Sequence, residues 1–375
     1  MKLNILFISS WFPSRVHPTL GNFVVAHAEA AARFNDVSVL YIKGDDVNQI
    51  EIETEQHHDI QIIRVYYPKG KKIIGRLQAL KAGMAVFSKA DKKFDVVQLN
   101  MVWNEGWQAV YLKKKFNLPF VISDNWTGYH PEQRTPQPWH VRKYMKWVAN
   151  QAALLLPVTK HLEKAMRNLG FNKPSIVIPN AVDLSTFKPN TIPTDTTRFL
   201  HLSHLDQEHK NIAGILNVWS QFASNRNDVH LSIGGDGDWQ FWQAEAMKRN
   251  IPPASITFFG PQNKQGVAKL MRENHCLVLF SNYENLPLVM VEAMACGLSV
   301  VATSVGGIAE HITNHPYHKL IERKQEKQLL DALVQTAFEV DKVDRVAIHH
   351  YAIEQFGLDA VGMAFTNAYL SVLKK

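Results

Sequence analysis

Short apolar runs alternate along this chain with longer stretches whose apolar residues recur at helical spacing. In the first half the runs at 3–9, 37–42, 60–65, 96–99, 120–123 and 154–158 are rich in Ile, Val, Leu and Phe. Continuous runs of that kind suit strands buried on both faces. Segments 22–34 and 75–89, lying between runs, read as helices. Strands alternating with helices predict βαβ units and a mostly parallel sheet. Segment 172–197 interrupts the pattern with Pro174, Pro179, Pro189 and Pro193, a density that suits a linker or hinge. The pattern then restarts, with runs at 199–203, 230–234, 256–259, 276–280 and 299–302. A restart of this sort predicts two α/β domains of similar build. A last helix is expected near 358–375, where Val361, Phe365, Ala368, Tyr369 and Val372 fall on one face. Ligands of open parallel sheets bind beyond the carboxyl ends of the strands. Two such domains facing each other would form a cleft suited to transfer chemistry that excludes water.

Composition leaves this picture intact. The 375 residues are 46% hydrophobic and 20% charged, ordinary for a globular protein and enough for sizeable cores. Cys276 and Cys296 sit in apolar surroundings and read as two buried thiols in a reducing compartment. No apolar run approaches the ~18 residues of a membrane span. The run after Lys2 is too short for a signal-peptide core, and Trp11-Phe12-Pro13 follows it in place of small residues. The expected location is therefore cytoplasmic.

Charge adds one feature. The net charge of +7 is uneven, with 25 basic and 15 acidic residues in 1–190 against 16 and 19 in 191–375. Lys69-Gly70-Lys71-Lys72, Lys92-Lys93 and Lys113-Lys114-Lys115 all lie in the basic half. They read as solvated loops and helix ends, or as a surface that docks on anionic membrane or a phosphorylated acceptor. Zinc, KH and RRM signatures are missing and the basic clusters lack interleaved aromatics, so nucleic acid is not an expected partner.

The chemistry concentrates in 280–310, FSNYENLPLVMVEAMACGLSVVATSVGGIAE. Asn285 and Pro287 look like a helix start, Asn as cap and Pro in the first turn. The helix should continue through 288–296 and stop at Gly297, before a returning strand at 298–302. Glu292 is the one charge in that helix, flanked by Val289, Met290, Val291, Ala293 and Met294. A carboxylate so placed is costly unless hydrogen-bonded. It is either a satisfied structural group or an acceptor for ligand hydroxyls such as those of a ribose. The N–H groups that open the helix would favour an anion such as a diphosphate. Glu284, just before the helix, would touch the sugar end of the same ligand. Gly306-Gly307 allows close backbone approach.

The spacing of Glu284 and Glu292, followed by AMACG and then GG, resembles the retaining glycosyltransferases called group one, or family four. Further matching pieces are IVIPNAVDLSTFKP at 176–189, SIGGDGD at 232–238, FFGPQ at 258–262 and PTLGNFV at 18–24. The resemblance covers most of the chain. It implies an α/β protein of the GT-B fold, two Rossmann-like domains with a central interdomain cleft. Residues 1–185 with the helix at about 358–375 would form the acceptor domain, and 190–357 the nucleotide-sugar donor domain. The implied donor is UDP- or GDP-linked, the acceptor a cell-surface glycan or glycolipid, with no divalent metal and no cofactor. Carried over, Glu292 is the ribose ligand and Glu284 the donor-sugar contact. Backbone amides near Leu286, Pro287 and Leu288 face the diphosphate, and Lys210 neutralises phosphate. Gly21 belongs to a glycine loop near the diphosphate, and the base lies near Gly260 and Gln262. Such residue types suit the reaction, because breaking a sugar–diphosphate bond develops charge on the leaving phosphate.

Two positions depart from the family pattern. His204 stands where the family often has an Arg, and an imidazole cannot grip phosphate in a bidentate manner. Asn125 stands where a His commonly faces the donor sugar. Asn cannot exchange a proton, although it can bind a sugar hydroxyl; His130 and Asp124 are the alternatives nearby. Asp236-Gly237-Asp238 mimics a metal-binding DxD but reads as a turn. His57-His58 lacks metal-ligand partners at sensible spacing and reads as a surface pair. Trp103, Trp107 and Trp126 follow strands, where they either pack in the core or stack on a carbohydrate or lipid acceptor. A sugar-nucleotide epimerase, a phosphorylase and a catalytically silent carbohydrate-binding or regulatory protein are the competing readings.

Overall fold

A computed structural model describes residues 2–18, 20–129, 137–192, 195–313 and 315–374; of Lys72 it describes the backbone alone. The chain divides into two compact units, 1–181 with 358–375, and 182–357.

The first unit runs β1 (Asn4–Ser9), α1 (Asn22–Ala32), β2 (Asp36–Asp45), β3 (Glu51–His57), β4 (Ile60–Pro68), α2 (Lys72–Lys89), β5 (Val96–Asn100), α3 (Gly106–Phe116), β6 (Phe120–Asp124), α4 (Trp139–Ala149), β7 (Leu154–Pro157) and α5 (Lys160–Asn168). Its seven strands lie in the order β3-β4-β2-β1-β5-β6-β7. Pairing is parallel except between β3 and β4. β5, β6 and β7 are buried along their whole lengths, which is why they read as unbroken apolar runs.

β3 is the strand that the apolar pattern misses. Its sequence EIETEQH is mostly exposed, and it lies at the sheet edge. It pairs antiparallel with β4 across a two-residue turn in which His58 adopts φ 50°. Charged residues on an edge strand discourage further strand pairing. His57 is consequently the last residue of a strand. The expectation that the His57-His58 pair lacks partners is corrected here, because Glu29 of α1 meets the His57 Nε2 at 2.9 Å. Glu29, His57 and His58 together could hold a metal ion.

The second unit runs β8 (Thr197–Leu202), α6 (Gln207–Lys210), α7 (Ile212–Phe222), β9 (Val229–Gly234), α8 (Trp239–Lys248), β10 (Ile256–Phe259), α9 (Lys264–Arg272), β11 (Cys276–Leu279), α10 (Leu288–Ala295), β12 (Ser299–Thr303), α11 (Ala309–Ile312), β13 (Lys319–Ile321), α12 (Glu326–Phe338) and α13 (Arg345–Phe356). The six strands are all parallel, in the order β10-β9-β8-β11-β12-β13. β13, only three residues long, has no counterpart among the expected strands. Both cysteines are buried free thiols, and burial pushes each up to about 12. No helix among the described residues is long and apolar enough to cross a membrane.

A final helix, α14 (Leu358–Leu373), belongs to the first unit. Val361, Phe365, Ala368 and Tyr369 are buried, and Phe365 and Tyr369 stack with their rings nearly parallel. The Tyr369 hydroxyl donates to Gln98 Oε1 of β5 at 2.5 Å, and Asn35 Nδ2 donates to Thr366 Oγ1 at 2.8 Å. Gly362 lets α14 lie directly on α1, since a Cβ there would overlap the Ala30 carbonyl. Gly362→Leu should therefore destabilise the first unit by about 3 kcal/mol, the upper part of the usual cost of overpacking. Met363→Leu, at a neighbouring residue 45% exposed, should be near neutral. Denaturant unfolding of both variants checks this.

Candidate functional site

In each sheet the chain first builds outward on one side and then crosses to the other. That switch falls between β8 and β11 in the second unit and between β1 and β5 in the first. Loops leaving neighbouring strands at a switch point splay apart, and ligands of open α/β sheets bind there.

After β8 the second unit turns through His204 into the one-turn helix α6. Asp206 opens α6 by accepting from the Glu208 N–H at 2.8 Å, and its other oxygen meets His209 Nδ1 at 2.5 Å. α6 ends on Lys210. After β11 the chain leaves through Ser281 and Asn282. The Asn282 N–H donates to the His209 carbonyl at 2.7 Å, and its side chain donates to the Glu208 carbonyl at 2.9 Å. These bonds fasten the two loops together.

The fastening brings Lys210 Nζ to 2.5 Å from Glu284 Oε1. The Ser281 hydroxyl donates to the same oxygen at 2.8 Å. Lys210 keeps 19% of its side-chain exposure and Glu284 keeps 9%, so the pair is largely withdrawn from water. Gly306 closes the other side. Its φ is +58°, and a Cβ would overlap the Glu284 carbonyl, while the Gly307 N–H donates to the Asn285 carbonyl at 2.9 Å. The close approach expected of Gly306-Gly307 is thus an approach to the loop that carries Glu284. Ser281 drew no notice in the sequence, because a Ser three residues before an acid is common.

α10 follows. Pro287, with φ −62° and ψ 125°, occupies the cap position itself, and no side chain caps the helix. The expected cap at Asn285 is corrected: a proline in the extended region ahead of the first helical residue leaves the Asn two residues before the cap position. Leu286 and Pro287 are buried and Leu288 is partly exposed. Helix N–H groups not taken by a capping side chain remain available to an anion.

Glu292 lies one turn into α10. It retains partial exposure, yet protein crowds its carboxyl; desolvation pushes it up to about 8, with the Lys264 ammonium pulling the other way. Lys264 opens α9, pairs with Asp183 at 3.0 Å, and follows the loop of Gly260 and Gln262. This neighbour places that loop beside α10. Gln262 is exposed and its side chain donates back to the Gly260 carbonyl at 3.3 Å.

His204 is exposed. Its neighbour His201 is fully buried, bonded to the Val278 carbonyl and to Ser203 Oγ at 2.8 Å each, and burial lowers it to about 4. His201 is therefore neutral, and the nearby Lys210 charge favours that state. The Asp236-Gly237-Asp238 segment is a turn, with φ of +125° at Gly235 and +109° at Gly237; Asp238 accepts from the Phe241 N–H at 2.9 Å and caps α8.

The first unit holds the remaining candidates. Gly21 caps α1 at φ +85°, where a Cβ would collide with the Trp11 backbone. Asn125 Nδ2 donates to Asn180 Oδ1 at 3.3 Å. Asp124 is fully buried and accepts from the Tyr129 hydroxyl, the Trp126 N–H at 3.0 Å and the Val102 N–H at 3.2 Å. Burial raises it to about 6. These bonds tie the loops after β5 and β6 together. His130 lies outside the described residues. A residue that sequence reasoning passed over is His27 of α1, fully buried beside Asn180 and lowered to about 4 by burial, hence neutral. Its setting in NFVVAHAEA looks like any helical histidine.

Comparison with known proteins supplies the family. A model of group 1 glycosyl transferases matches residues 184–348, and a model of glycosyltransferase family 4 matches residues 20–186. TuaC of Bacillus subtilis, a glycosyltransferase whose name assigns it to teichuronic acid biosynthesis, is 22% identical over 390 aligned positions, 96% of this chain and 95% of that one. Sucrose-phosphate synthase of Thermosynechococcus elongatus superposes with a TM-score of 0.80 at 19% identity, covering the whole of both chains. HepE of Anabaena, in complex with UDP-glucose, superposes at 0.74 and 17% identity over 98% of this chain and 100% of that one. The two family models together run from residue 20 to residue 348, and with a GT-B architecture in both units the chain belongs to the group 1, family 4 glycosyltransferases, which transfer a sugar from a nucleotide-sugar.

Proposed function

We propose that this enzyme moves a sugar from a UDP- or GDP-linked donor to a cell-surface glycan or glycolipid, with retention and without a divalent metal. The observation that carries the reading is the Lys210–Glu284 pair, set where β8 and β11 diverge and followed at once by the uncapped start of α10. A diphosphate at that helix start would meet the Lys210 ammonium, which offsets the charge that develops as the sugar–phosphate bond breaks. Lys210 would supply what a metal supplies elsewhere. Glu284 would exchange Lys210 for the sugar hydroxyls, and Ser281 holds its carboxylate in place meanwhile. Among the described residues Glu292 has no side-chain hydrogen bond, which supports its role as acceptor for the ribose hydroxyls. Gly260 and Gln262, brought beside α10, would border the base. Asn125, Gly21 and His204 remain candidates for the sugar and the diphosphate. Anionic membrane is proposed as a peripheral contact of the basic first half.

Thermal stabilisation by UDP, GDP, ADP and their sugar conjugates, with a chelator present, tests the donor reading. One nucleotide should raise the melting temperature, and the chelator should leave that shift unchanged. Silence with every nucleotide, with or without magnesium, would favour a catalytically silent protein on this fold.

Lys210→Ala should lower the transfer rate about 100-fold or more, as loss of one preorganised charge-stabilising donor does, while nucleotide affinity changes by less than the rate. Steady-state kinetics beside calorimetric titration separates the two.

Glu292 makes nucleotide binding depend on pH. Its carboxyl, raised to about 8, is mostly protonated at pH 6.5, and two ribose hydroxyls are better served by the carboxylate. Binding should release a proton, and affinity should rise from pH 6.5 to 8.5. For folding the sign is opposite: the native state holds this proton and the unfolded chain loses it near the ordinary value of 4.5, so this group's contribution to stability falls as pH rises from there to about 8. Glu292→Gln should bind nucleotide more weakly and flatten the pH dependence. Calorimetry at four pH values would show a persistent slope if another group were responsible.

A further inference from the structure

We propose that the first unit contains a hydrocarbon-binding pocket for the chain of a phosphate-headed lipid. A cavity of about 630 Å³ opens among α2, α3, α4 and the loop after β5. Ile73 and Leu77 of α2 form one wall, Trp103, Trp107 and Tyr111 a second, and Tyr144 of α4 a third. That volume lies within the range of sites for small molecules, roughly 300–1,000 Å³. The inference rests on the acceptor reading above, which it narrows from glycan or glycolipid to lipid.

The chemistry of the lining separates a hydrocarbon from a sugar. A sugar site places aromatic faces beside free donors and acceptors, because every buried hydroxyl must be paired. Here the lining is mostly apolar, with Arg76, Asn104 and His140 as the polar side chains among it. The Tyr144 hydroxyl accepts from the Trp107 N–H at 2.9 Å, and Arg76 Nε donates to the Tyr67 hydroxyl at 2.9 Å. Glu105, which precedes α3, is buried, bonded to Gln108 and raised to about 6 by desolvation. Trp103 and Tyr144 pack edge to face at 6.0 Å, which fixes the apolar walls.

The surroundings point to what carries the chain. Ile73 and Ile74, 84% and 68% exposed, open α2, and Trp139, 70% exposed, opens α4. Apolar side chains so exposed mark a binding surface when they cluster at a pocket. α4 carries exposed His140, Arg142, Lys143 and Lys146 and has no acidic residue; Lys71 is exposed ahead of Ile73. Apolar groups beside cations suit the boundary between acyl chains and anionic headgroups. An anionic, phosphate-headed lipid matches both halves of this surface.

Dodecyl phosphate below its micellar concentration is the probe, titrated calorimetrically into the full chain. Saturable binding at one site per chain is expected, with no heat from inorganic phosphate. Leu77→Glu, inside the pocket, and Ile73→Glu, at an exposed position that folding tolerates, should each weaken binding at least tenfold. Met247→Glu, on exposed α8 surface of the second unit, should leave it unchanged. Unsaturable heats, affinity unchanged from the parent chain in both pocket variants, or maltotetraose binding that Leu77→Glu abolishes would overturn the proposal. The nucleotide-induced melting shift is measured on the same variants. Its presence alongside absent dodecyl phosphate binding removes the pocket alone, and its absence alongside intact dodecyl phosphate binding removes the donor reading alone.

Discussion

The ion pair between Lys210 and Glu284 is the contact around which the second unit is arranged. A charge pair withdrawn from water is costly, and its attraction offsets the lost hydration only with close geometry and further hydrogen bonds. Those conditions are met by parts far apart in sequence. Asn282 laces one loop to the other, Ser281 supplies the extra donor, and Gly306 brings a third loop against the Glu284 backbone. A hydrophobic pair of similar size would hold these loops at less cost. A charged pair that exchanges partners when an anion arrives, by contrast, keeps an ammonium in position without leaving it unpaired beforehand. On the reading proposed above, the arrangement would be preorganised for negative charge, its stability before binding coming from a group that would itself contact the ligand.

Glu292 follows the opposite logic. Among the described residues it has no side-chain hydrogen bond, and desolvation raises its carboxyl against the pull of the Lys264 ammonium. Two acids eight residues apart are thus held in different ways, one paired with a lysine and the other raised by its surroundings. A strongly perturbed buried acid is a mark of functional sites. Structural acids in the same chain show what differs. Asp124 is also raised by burial, but three donors saturate it. Glu292 keeps solvent access and open acceptor capacity.

What could be read from the sequence follows from burial. Strands covered on both faces, such as β5, β6 and β11, need apolar residues at every position and so announce themselves. The edge strand β3 draws its order from pairing with β4, and its side chains face water, so composition carries no trace of it. Glu292 stood out because a charge within an apolar helix is expensive, Glu284 by its place just before that helix, and Lys210 through the family resemblance alone. His27 and Asn180 did not, since their contact joins distant parts of the chain, and Ser281 did not because a Ser three residues before an acid is common. The partner of His57 was invisible for the same reason: α1 must pack against the sheet before Glu29 can reach it. The cap of α10 was misread because Asn and Pro both open helices, and backbone geometry alone decides which residue stands at the boundary.

The first unit shows how one topology accommodates a different demand. Its switch point also lies beside its first strand, and the loop after β5 also emerges there. In the second unit the loops after β8 and β11 carry His204, Asp206 and Glu284; in the first the loop after β5 carries Trp103 and Glu105, with Trp107 in the first turn of the helix beyond. The sheet dictates where a ligand can approach, and the loop residues dictate what kind. Tyr67 and the Trp107 backbone bond to Arg76 and Tyr144 at the first-unit cavity, whose walls are mostly apolar. Ser281 and Asn282 fasten polar groups in the second unit while leaving Lys210 partly open. On the reading proposed above, the same strand-end geometry would offer fixed charge to a nucleotide in one unit and an apolar surface to a lipid chain in the other.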